Sequence, residues 1–147
     1  AFESAYAANV RMRGQGGALV DLKQGERVVG TWPGTGCDLE IPGHIEYKEK
    51  LSYELRLELR RRQNIIGGEL HFQTLERSRT DTAFIELINV SGDYFYFKYW
   101  VAIPHANHCG FMVMQLSTMG DELEGMFLTN KIFERQIGLG KLVFHRQ

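Results

Sequence analysis

The chain has 147 residues, 44% hydrophobic and 24% charged, a make-up that fits one globular domain and excludes a disordered segment. Lys and Arg number 17 against 18 Asp and Glu, a net charge of -1 that excludes a general coat for DNA or RNA while leaving room for one small anionic ligand held by a few placed cations. Cys37 and Cys109 form neither a CxxC pair nor a disulfide scaffold, so a reducing compartment is expected.

Residues 1–26 read as an irregular or partly helical segment. Phe2 to Met12 could form helical turns, which Gly14, Gly16 and Gly17 break. Ala18 to Lys23 is expected to make a short turn that plugs one end of the fold. No apolar run approaches the ~20 residues that span a bilayer. The sequence opens on Ala1 and not on Met, so a preceding segment is expected.

Residues 27–147 read as β structure. Arg27 to Trp32 is apolar and β-branched, and Pro33, Gly34 and Gly36 are expected to interrupt it. Leu51, Tyr53, Leu55, Leu57 and Leu59 alternate with Ser52, Glu54, Arg56 and Glu58, the pattern of a half-buried strand with the leucines inward. Arg60 to Asn64 reads as a polar turn. Ile66, Gly68, Leu70, Phe72 and Thr74 mark one face of a third strand, and residues 78–82 turn it. Ala83 to Val90, Tyr94 to Ile103, Cys109 to Thr118, Leu123 to Lys131 and Ile137 to Arg146 complete eight strands, with Pro104 to His108 as a loop.

Short links make sequential neighbours pair antiparallel. An open meander would leave two unpaired edges, and closure removes them. The expected fold is therefore all-β: an eight-stranded antiparallel up-and-down barrel of the calycin or lipocalin kind. The fifth strand is apolar on both faces, with Phe95, Phe97, Tyr99, Val101 and Ile103 on one and Tyr94, Tyr96, Trp100 and Ala102 on the other. One face should line a ligand-holding interior, with the other covered by a partner or by the amino-terminal segment.

Several constellations carry chemistry. Trp32 and Arg146 lie on strands that closure makes neighbours, so a cation–π plug at one end is expected. Tyr96 and Trp100 could stack bases, while Lys98, Arg77, Lys131 and Arg135 near strand ends could neutralise phosphates. His105, His108 and Cys109 are close together but match no common zinc spacing, and no metal or cofactor is expected. His145 stands alone on the last strand. No GxSxG, HExxH or Walker sequence occurs, and no nucleophile is paired with a base, so an enzyme is not expected.

The run Gly30 to Gly36 (GTWPGTG) resembles the GxWxGxG opening of nitrobindin-type barrels in the calycin group. That resemblance implies haem or lipid binding as an alternative, with His145 in the position of the haem histidine. From Tyr94 to Arg146 the aromatic strand, His108-Cys109-Gly110, LEGMFLTNK and the closing Phe144-His145-Arg146 resemble the β-barrel effectors of bacterial CBASS anti-phage systems. This resemblance implies a sensor barrel that follows two transmembrane helices. Its ligand would be a cyclic di- or trinucleotide made by a CD-NTase. Binding would drive homo-oligomerisation and disruption of the inner membrane, with the barrel on the cytoplasmic side.

Overall fold

The computed structural model describes residues 20–39, 52–74, 80–103, 106–131 and 136–147, excepting the side chains at 102, 103, 106–108, 131, 136 and 137. A single helical turn, α1 (Leu22–Gly25), runs into a 3-10 turn (Glu26–Val28). Eight strands follow: β1 (Gly30–Asp38), β2 (Ser52–Arg62), β3 (Ile65–Thr74), β4 (Thr80–Ser91), β5 (Tyr94–Ile103), β6 (Ala106–Leu116), β7 (Glu122–Lys131) and β8 (Gln136–His145). They form a closed barrel in chain order, every neighbouring pair antiparallel. Closure comes from the ladder between β1 and β8, from Gly34 opposite Phe144 to Asp38 opposite Gly140.

Period-two burial follows from this arrangement. Leu55, Leu57 and Leu59 of β2 point inward, opposite Phe72, Leu70 and Gly68 of β3. Leu51 lies outside the described residues. On β5 the inward set is Phe95, Phe97, Tyr99 and Val101. They meet Ile85 and Leu87 of β4 and Met112 and Met114 of β6.

Four boundaries differ clearly from the sequence reading, one of them the start of β4 at Thr80, inside the expected 78–82 turn. β1 runs straight through Pro33, Gly34 and Gly36 instead of ending at Trp32. Pro33 is exposed and pairs with β2 at a level where pairing to β8 has not begun, a position where a sheet accepts proline. At Gly34 a Cβ would stand 2.2 Å from the Val143 carbonyl oxygen, so the glycine is what lets β8 approach. β2 continues to Arg62, because Gln63 takes a positive φ of 54° and makes the hairpin turn with Asn64. β6 begins at Ala106, inside the expected loop.

One end of the barrel is sealed. Asp21 caps α1 by accepting a hydrogen bond from the Gln24 amide at 3.1 Å. Gly25 lies against Ile66 and Leu87. Trp32 is fully buried and donates its indole N–H to the Val28 carbonyl at 2.9 Å. The Arg146 guanidinium sits 4.2 Å from the Trp32 ring centroid. It also donates to the carbonyls of Val29 at 2.9 Å, Gly120 at 3.0 Å and Arg27. One planar cation thus ties the entry to β1, the turn between β6 and β7, and the end of β8.

Replacing the fully buried Leu57 by Ala is expected to cost about 2–5 kcal/mol in urea unfolding. Arg146→Ala should cost roughly 1–3 kcal/mol by the same measurement. Arg146→Lys should recover only part of that loss, because an ammonium cannot stack on the indole and reach three separated carbonyls together. An Arg146→Ala protein within about 0.5 kcal/mol of the parent would remove the plug from the account of stability.

Candidate functional site

The interior changes character along the barrel axis. Towards the plug, Trp32, Leu57, Leu87, Phe95, Phe97, Met114, Leu123 and Phe144 are buried almost completely. Towards the other end, Tyr53, Phe72 and Phe127 are only half-buried, and the inward positions turn polar: Asp38, Tyr53, Thr74, Tyr99 and Thr129. A barrel filled for stability alone has no need of a buried carboxylate or of buried hydroxyls, which cost free energy unless hydrogen-bonded.

Strand alternation places each of these groups. Trp32, Gly34, Gly36 and Asp38 share one face of β1, and the ladder to β8 sets Asp38 opposite Gly140. Asp38 is 3% exposed, and its Oδ1 accepts a hydrogen bond from the Tyr53 hydroxyl at 2.9 Å. The Tyr53 ring meets Phe72 edge-on at 6.3 Å between centroids and Phe127 at 6.5 Å. Tyr99 extends over Gly110, where a Cβ would come within 2.8 Å of the phenol oxygen. It shares a hydrogen bond with the Thr129 side chain, whose Oγ1 in turn donates to the Cys109 carbonyl at 3.4 Å. The result is a pair of phenols, a carboxylate and a threonine hydroxyl at the less buried, aromatic-walled end of the barrel interior.

Burial pushes the Tyr99 phenol up from its ordinary 10.0 to about 12. Nearby Cys109 and Asp38 act in the same direction, and the hydrogen bond with Thr129 offsets part of the rise. Like any tyrosine, Tyr99 is protonated at physiological pH, and its hydroxyl is engaged with the Thr129 side chain.

The residues singled out from sequence fall elsewhere. Tyr96, Lys98 and Trp100 stand on the outer wall of β5 and do not line the lumen. The physical reason is register: Phe97 pairs with Leu87 and Met112, both inward, and a side-chain period of two then turns Tyr96 and Lys98 out. Lys98 Nζ lies 3.3 Å from Glu86 Oε2 and 5.6 Å from the Trp100 ring centroid, so its charge is engaged within the wall. Trp100 meets Phe84 at 6.4 Å. Arg77 and Arg135 lie outside the described residues, as does the side chain of Lys131, the last residue of β7. His105 and the His108 side chain are also outside them, while Cys109 is exposed. His145 faces outward at the plugged end, 3.8 Å from Glu122, which takes it away from any ligand in the lumen.

The sequence reading missed Asp38, Tyr53, Tyr99 and Thr129 as a group. The signal was present in part: Asp38 is in phase with the buried Trp32, and Tyr53 with the leucines of β2. Thr129 is in phase with Leu123 on β7.

No protein family matches the chain, and neither a curated protein nor a solved structure shows detectable similarity to it.

The raised Tyr99 pKa has a consequence for stability. An unfolded tyrosine ionises near pH 10, whereas the folded one holds its proton to about 12. Below the unfolded value both states are protonated and the shift contributes no pH dependence. Between the two values the unfolded state alone loses its proton, so stability falls as pH rises, by up to about 1.4 kcal/mol per unit. Denaturation midpoints taken from pH 9 upward should fall more steeply in the parent than in Tyr99→Phe. Equal slopes would show that Tyr99 is not the group responsible.

Proposed function

We propose that the barrel is a sensor domain that binds a cyclic di- or trinucleotide at the polar end of its lumen. In this reading it is the cytoplasmic part of a membrane-anchored CBASS anti-phage effector, and ligand binding promotes oligomerisation and inner-membrane disruption. The observation that carries the ligand assignment is the buried Asp38 carboxylate, held by Tyr53 and set among aromatic rings at the end opposite the plug. The step to a membrane effector rests on the sequence resemblance of residues 94–146.

The chemistry of that end suits a nucleobase. A carboxylate accepts from the amino or imino N–H groups of a base edge, and a phenol oxygen can accept from them as well. Edge-to-face rings offer apolar walls against which a base can pack. The phosphates would then lie outside the barrel, and the sequence carries cations after β3 and at and after the end of β7. Arg77, Lys131 and Arg135 are the sequence candidates for that role. Sealing the far end adds rigidity, so less ordering remains to be done when ligand enters.

Isothermal titration calorimetry against a panel of cyclic di- and trinucleotides tests the reading. At least one should bind, and more weakly as salt rises if phosphate neutralisation contributes. Asp38→Asn should weaken that ligand at least about tenfold, which corresponds to about 1.4 kcal/mol. Trp100→Ala should leave affinity close to that of the parent, because its indole is on the outer wall. Absence of binding across the panel at millimolar concentration would overturn the proposal. A large loss in Trp100→Ala with none in Asp38→Asn would move the site to the outside of the barrel.

A further inference from the structure

A second cluster stands on the outer wall, away from the lumen. Glu58 on β2 and Glu69 on β3 are directly opposite each other. Like charges so placed are destabilising unless something positive lies between them. His71, two residues along β3 on the same face, directs its Nε2 at both. It is 3.3 Å from Glu69 Oε2 and 3.7 Å from Glu58 Oε2. The three ligating atoms all lie within 4.8 Å of one another.

We propose that Glu58, Glu69 and His71 form a binding site for a divalent transition metal ion, zinc by its ligand chemistry.

The spacing supports this. Zinc bonds of about 2.0–2.1 Å to nitrogen and oxygen in a tetrahedron put neighbouring ligand atoms about 3.3 Å apart. The two imidazole–carboxylate separations sit at and slightly above that value, and all three atoms lie within 4.8 Å, so the carboxylates would close inward on an ion. The imidazole is also oriented by a partner behind it. His71 Nδ1 lies 3.0 Å from Thr82 Oγ1 on β4. With the ring hydrogen on Nδ1 directed at that hydroxyl, the Nε2 lone pair faces the carboxylates, the arrangement by which outer groups aim a metal-binding histidine. Arg56 Nε binds the other Glu58 oxygen, Oε1, at 3.1 Å. That contact occupies Oε1, and Oε2 is the oxygen that lies towards His71 Nε2.

The donor set decides among cations. An imidazole with two carboxylates suits zinc and its first-row neighbours, whereas magnesium and calcium take oxygen alone. All three side chains are about one-third exposed, which leaves a fourth position open to water. Bound there, the ion would neutralise the facing carboxylates and tie β2 to β3.

Zinc titrated into the metal-free barrel, followed by calorimetry and thermal unfolding, tests the site. One equivalent should bind and raise the melting temperature. His71→Ala should abolish that binding, and Thr82→Val should weaken it roughly tenfold by freeing the imidazole. Should His71→Ala fold poorly, Glu69→Gln serves as the second variant, with the same loss expected. Cobalt should bind without the sulfur-to-metal charge-transfer band of a cysteine ligand. The proposal is overturned if zinc does not bind at millimolar concentration, or if binding survives both ligand substitutions. A thiolate band, or a response to magnesium equal to that with zinc, would overturn it too. Because none of these variants touches the lumen, the outcome is independent of cyclic-nucleotide binding.

Discussion

Everything in this molecule depends on the ladder between β1 and β8. Seven of the hairpin pairings are local and could form in an open meander, but that meander would leave two strand edges unpaired. The closing ladder runs only from Gly34 to Asp38, and three of its positions, Gly34, Gly36 and Gly140, are glycines at which a Cβ would meet a neighbour at 3.1 Å or less. A residue with a Cβ at position 34 would strike the Val143 carbonyl. The ladder also does more than close the fold: its last pair, Asp38 with Gly140, fixes the carboxylate at the mouth of the lumen. Beyond its other end, the Gln147 amide donates to the Thr31 carbonyl and Arg146 reaches over Trp32. Closure, plug and polar mouth are consequences of one short strand pairing.

Much of the barrel was legible because its signals were local. The leucine alternation of β2 places Leu55, Leu57 and Leu59 inside, and β5 begins and ends where the sequence indicates, after the Gly92–Asp93 turn and at Ile103. β1 was not legible, because a Pro-Gly-rich stretch ordinarily stops a strand. Here the proline is tolerated where β1 has one neighbour, and the glycines are required where it gains the second. Local composition cannot express that requirement, which comes from a strand more than a hundred residues away.

The candidate site was harder to read for a different reason. On β5 both faces are apolar, so hydrophobicity does not distinguish Tyr96, Lys98 and Trp100 from Phe97, Tyr99 and Val101. The partner strands made that choice. The metal-type cluster shows the converse. Its members are separated in sequence, yet a two-residue turn at Gln63–Asn64 makes Glu58 face Glu69 once the hairpin is recognised. The sequence reading extended a polar turn from Arg60 to Asn64, and that length erases the register on which the pairing depends.

What holds β5 in the register that turns Tyr99 inward is itself on the outer wall. The ladder between β4 and β5 shifts between Leu87 and Asn89, a bulge at which a one-residue slip is the nearest alternative. Such a slip would carry Lys98 into the apolar lumen and expel Phe97 and Tyr99 from it. Two pairs before the shift, Glu86 faces Lys98 from a position that is fully buried. A buried ion pair is weak evidence of stabilisation, because desolvation offsets most of the attraction. Its better-supported use is to specify register, since separating the partners leaves a charge buried and unmatched. Glu86 and Lys98 fit that use: in the observed pairing they meet at 3.3 Å, and in the slipped one they do not. The lysine that composition offers as a phosphate contact thus has a different consequence. By staying on the wall with Glu86, it leaves the Tyr99 phenol and not an ammonium facing the barrel interior.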